Sequence, residues 1–117
     1  MFAALLFALA LDDATLARPD VRACFDRVLK EGGYGRLPIE SAAFVVRDGD
    51  RYQCRMWPRS VSYRAQSWDG ALPANAVAIV HSHPRDLPEP SAQDRALAKR
   101  LGIPNFVVTP RAVTRAE

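Results

Sequence analysis

Apolar positions along the chain change rhythm several times, and each rhythm predicts a different element. From Pro19 to about Glu31, the residues Val21, Cys24, Phe25, Val28 and Leu29 keep the spacing of one buried helical face. Pro19 suits the first turn, where an N–H is not needed, and Gly32-Gly33 ends the helix. Ser41 to Arg47, with Phe44, Val45 and Val46 at its centre, predicts a short strand. Asp48-Gly49-Asp50 then signals a hairpin turn. In the run Arg51 to Trp57, Tyr52, Cys54 and Met56 alternate with Arg51, Gln53 and Arg55, the mark of a half-buried antiparallel strand.

Beyond Pro58 the rhythm weakens. Val61 and Tyr63 could form a third short strand, and the stretch from Trp68 to Pro73 reads as loop. Ala76 to His81 carries Val77, Ile79 and Val80, enough for a central strand buried on both faces. Pro84 to Pro90 contains three prolines and is expected to be a loop. Ser91 to Leu101 predicts a helix: Ser91 is a good N-cap, Leu97 and Leu101 form a ridge, and Gly102 stands at the C-terminal cap with Pro104 beyond. Phe106 to Thr109 makes a last buried strand, followed by a short tail from Pro110. This order implies an α/β or α+β sheet packed against helices.

Length and charge narrow the picture. A chain of 117 residues suffices for one hydrophobic core. The net charge of +3 is mild. Arg47, Arg51, Arg55, Arg59 and Arg64 are the nearest thing to a basic stripe, and they read as a solvated strand face and loop, so no nucleic-acid partner is expected. Phe2 to Leu11 is an uncharged apolar run, too short to span a membrane. Its length and the small residues of Ala8-Leu9-Ala10 suit a secretory signal. Residues 1–10 are therefore expected to be a signal peptide, 11–117 a single domain, and the protein exported or periplasmic. The competing expectation is a buried first helix in a cytoplasmic protein. Cys24 and Cys54 could pair in an oxidising compartment. Because pairing depends on export, two separate buried thiols are the preferred reading.

The candidate chemistry lies where the central strand ends. The two histidines of the chain, His81 and His83, are two residues apart. On extended backbone their imidazoles point to the same side, about 6.6 Å apart at the backbone, and can tilt onto one ion. The helix that begins at Ser91 follows the proline-rich loop, so Asp94 in its first turn can supply a third ligand. Two imidazoles and one carboxylate leave a tetrahedral position open for water. Taken singly, each piece has a plain explanation: His-x-His occurs on wet strands, and Ser91 with Asp94 can be a helix cap and an acid near the helix dipole.

Together they complete a longer pattern: His81-Ser82-His83, seven residues beginning with Pro84, then Ser91, two residues and Asp94. This resembles the signature of the JAMM (MPN-plus) metalloproteases, and the likeness runs over roughly residues 20–109. The resemblance implies a JAB/MPN (cytidine-deaminase-like) architecture with a mixed, largely antiparallel sheet flanked by helices. It implies one catalytic Zn²⁺ held by His81, His83 and Asp94. It further implies that Glu40, placed after the first helix, is the general acid/base, and that Ser91 stabilises the tetrahedral intermediate. The activity implied is that of a zinc metallopeptidase or isopeptidase acting on a peptide or protein substrate, either a ubiquitin-like conjugate or a cell-wall peptide. A non-catalytic MPN-type binding module is the alternative. Zinc deamination is disfavoured because the chain lacks Cys-x-x-Cys. Oligomeric state is not legible in the residues.

Overall fold

The computed structural model describes residues 12–36, 39–58, 68 and 70–116. The expected signal peptide and the third short strand at Val61 and Tyr63 lie outside them. A short helix α1 (Asp13–Leu16) leads into α2 (Pro19–Glu31), then β1 (Ala42–Asp48), β2 (Arg51–Met56), β3 (Ala76–Ser82), α3 (Ala92–Leu101), β4 (Asn105–Val108) and β5 (Val113–Ala116). The strands form one sheet in the order β2-β1-β3-β4-β5. β1 pairs antiparallel with both β2 and β3, β4 and β5 are antiparallel, and β3 and β4 are parallel. The sheet is thus mixed and largely antiparallel, an α+β fold.

The periodic helix α2 buries Val21, Cys24, Phe25, Val28 and Leu29. These pack on Ala43, Val45, Val80 and Phe106, which face them from the sheet. The opposite face carries Ala42, Phe44, Val46, Trp57 and Ile79, with Leu97, Leu101 and Trp68 against them. The result is a three-layer arrangement in which β3 is buried along its whole length. Trp68, half-buried, lies edge-on to Phe44, 4.9 Å between ring centroids, and packs against this side of the core.

Three expectations need correction. The tail after Pro110 is a strand: Thr109 Oγ1 accepts the N–H of Ala112, a turn that returns the chain antiparallel along β4. A further helix, α1, precedes the first one expected, with Asp12 as its cap accepting from the Thr15 N–H. Finally, Cys24 and Cys54 are bonded to each other. Both face inward as their periodicities require, and that shared direction brings their Cα atoms to 5.1 Å, within bridging range. Asp20 reinforces the same junction, accepting from the Tyr52 N–H at 2.9 Å and from Arg18 at 3.0 Å.

Candidate metal centre

The site is built by the β3–α3–β4 crossover. β3 delivers His81 in its last turn of pairing, opposite Ala42 of β1, and His83 follows immediately in extended conformation. A 3₁₀ turn at Pro84–Asp86 and the remaining prolines then reverse the chain into α3. Ser91 caps that helix: its Oγ accepts the Asp94 N–H at 3.1 Å, and Asp94 Oδ2 accepts the Ser91 N–H at 2.8 Å. The reciprocal cap satisfies two otherwise orphaned donors and fixes the Asp94 carboxylate at the mouth of the strand. Gly102 ends the helix in the left-handed region, φ 71°, which a side chain would strain.

The three side chains converge. His81 Nε2 lies 3.0 Å from His83 Nε2 and 3.1 Å from Asp94 Oδ1, and His83 Nε2 lies 3.0 Å from Asp94 Oδ2. Ligands of a tetrahedral ion with bonds of about 2.0–2.1 Å stand roughly 3.3 Å apart. The group could therefore hold a single metal ion. Both histidines are buried and Asp94 is half-buried. The donor chemistry fits as well. The Leu87 carbonyl lies 2.9 Å from His83 Nδ1 and accepts its N–H, which in the neutral ring leaves the Nε2 lone pair facing the site.

Electrostatics point the same way. Burial alone would lower the His83 pKa, but the hydrogen bond and charge of Asp94, with the Leu87 carbonyl and Glu40, raise it above its ordinary value. Burial would raise the Asp94 pKa, yet bonds from both imidazoles and the Ser91 N–H hold the carboxyl well below the usual carboxylate range. The centre is an ionised carboxylate facing two imidazoles, arranged to hold positive charge, whether a proton or a divalent cation.

The family profile of the prokaryotic homologs of the JAB domain matches residues 34–116. The chain belongs to that family. No curated protein and no solved structure matches it. The JAB region begins after α2, later than the sequence resemblance suggested, and runs on through β5. It takes in all five residues singled out as candidate site groups.

Within this JAB domain Glu40 precedes β1. Continuing the β1–β3 register, in which Ala42 faces His81, places position 40 across from position 83. Glu40, His81 and Asp94 line one small cavity with Trp57, Leu97 and Asn105. Ser91 is exposed at the start of α3. Ser82 has the opposite parity and points away: its Oγ accepts the Ser41 N–H at 3.0 Å on the far side of the sheet. Two groups at this centre escaped sequence reasoning. The Leu87 carbonyl is a backbone atom and leaves no trace in residue identity. Asn105 left a faint one, a polar residue opening an apolar strand.

Proposed function

We propose that the chain is a zinc-dependent metallopeptidase or isopeptidase of the JAMM type. One observation carries this reading: two imidazoles and a carboxylate meet within 3.1 Å, and two of these groups, His81 and Asp94, line a cavity that Glu40 shares. His81, His83 and Asp94 would hold the ion, whose chemistry when bound is to acidify a water and polarise the amide carbonyl. The nitrogen and oxygen donors admit other divalent metals, and zinc is the preferred one. The Glu40 carboxylate takes the proton of the attacking water and returns it to the departing amine nitrogen. The Ser91 Oγ accepts from the Asp94 N–H, so its own hydroxyl proton is available to the substrate's carbonyl oxygen.

The substrate is a peptide or protein amide. The Cys24–Cys54 bond supports an oxidising compartment and hence export or a periplasmic location. That favours an extracytoplasmic peptide, such as a cell-wall peptide, over a ubiquitin-like conjugate.

Elemental analysis of the purified protein, followed by a peptide-library cleavage assay with and without chelator, tests the reading. Zinc at one equivalent and chelator-sensitive cleavage are expected. Glu40→Gln should keep the metal and lose hydrolysis. A metal-free, inactive wild type would instead identify a non-catalytic binding module.

A further inference from the structure

The two imidazoles of the centre are not held alike. His83 Nδ1 has the Leu87 carbonyl at 2.9 Å. His81 Nδ1 is buried and has no hydrogen-bond partner. When Nε2 offers its lone pair to a cation, the proton must sit on Nδ1. A buried N–H without an acceptor is costly, and ligating histidines ordinarily pass that proton to a carbonyl or carboxylate. The first ligand therefore needs an acceptor.

Asn105 supplies it. Among the described residues, the buried side-chain polar atoms without a partner are His81 Nδ1, Asn105 Oδ1 and Trp57 Nε1. Asn105 is 1% exposed, so its carbonyl has no recourse to bulk water. Its amide orientation is already decided, because Nδ2 donates to the Asp94 carbonyl at 3.2 Å. Parallel pairing of Ile79 with Asn105 puts Asn105 on the sheet face that carries His81, one strand across. All three residues line the same cavity, about 20 Å³, which is room for one water. A water in that space would accept from His81 Nδ1–H and Trp57 Nε1–H and donate to Asn105 Oδ1, satisfying two donors and one acceptor together.

We propose that Asn105 is a positioning residue for His81: its Oδ1, reached through a water shared with Trp57, keeps the His81 proton on Nδ1 and turns Nε2 toward the ion. This role rests on the metal-binding reading above. It goes beyond that reading by making β4 part of the centre, through a residue that touches neither ion nor substrate.

The test is a Zn²⁺ titration of the full chain combined with ¹⁵N NMR of its histidine rings. Zinc-loaded wild type should show His81 protonated at Nδ1, with that proton slow to exchange. Asn105→Ala should bind Zn²⁺ about 10- to 100-fold more weakly, and should lose the protection of the His81 proton but not that of His83. Asn105→Asp keeps an acceptor but not the bond to the Asp94 carbonyl; it should restore the His81 proton's protection, which a mere tie to the helix would not. Wild type that takes up no Zn²⁺ overturns the metal reading, and this role with it. Wild type that binds Zn²⁺ while Asn105→Ala binds as tightly, with His81 unchanged, overturns the role of Asn105 alone. Should Asn105→Ala not fold, wild type decides: a zinc-loaded chain whose His81 proton sits on Nε2, or exchanges freely from Nδ1, refutes it.

Discussion

At the scale of single residues, the centre sets protons against any cation it holds, since both need the same atoms. Because Asp94 and the Leu87 carbonyl raise the His83 pKa above 6.5, His83 in the metal-free chain keeps its proton to a higher pH than a free imidazole. Its charge stabilises the metal-free fold below that value, and the contribution is lost as pH rises through the elevated pKa. For metal the sign is reversed: a bound Zn²⁺ would have to displace the proton, so affinity should fall as pH drops through the interval in which His83 takes up its proton. A dissociation constant that stays flat across that interval would contradict the ligand role of His83. His83→Ala should abolish stoichiometric zinc, read by elemental analysis. His81, His83 and Asp94 were legible because strand parity and helix position fix where those side chains go. The groups that hold them were not: Leu87 acts through its backbone, and Asn105 matters only because β4 lies beside β3, a neighbour relation that no local pattern encodes.

Elements explain why some residues have two duties. Ser91 and Asp94 could be read from the sequence either as a cap or as site groups, and the structure makes them a reciprocal cap whose carboxylate also faces both histidines. Ser91→Ala should therefore cost about 1 kcal/mol of stability and slow peptide hydrolysis by about 10²–10³-fold. Lost stability with unchanged turnover would leave Ser91 a cap alone. Gly32, at the end of α2, touches the sheet where Ser82 points away from the centre; an added Cβ would come within 2.9 Å of the Ser82 Cβ. Gly32→Ala should destabilise by about 1–3 kcal/mol in urea unfolding, and an unchanged midpoint would show that α2 can shift freely. The long periodic elements were predictable because burial on one face writes a period into the chain. β5 was not, since of its four residues only Ala116 is fully buried, and its place is set by hydrogen bonds to β4.

For the whole molecule, the Cys24–Cys54 bond joins the helical layer to the outermost strand of the hairpin side. It spans 30 residues, and closing a loop of that length removes enough unfolded-chain entropy for about 3.5 kcal/mol of stability. Urea unfolding with and without reductant should differ by about that amount; coincident curves would mean that the bond does not hold the folded state. Sequence parity put both cysteines on inward faces, but whether they bond depends on compartment as well as on pattern, which is why pairing stayed open there. Among the described residues no helix is long and apolar enough to cross a membrane.

The three side chains that could hold an ion all belong to one crossover between adjacent parallel strands, whereas Glu40 arrives from a different part of the chain, ahead of the hairpin. On the proposed function, holding a cation and using it would thus rest on separate segments of the chain. If Glu40 has the proposed role, a single exchange at position 40 would leave a chain that holds the ion without cleaving, whereas restoring a lost ion grip would need several residues of the crossover.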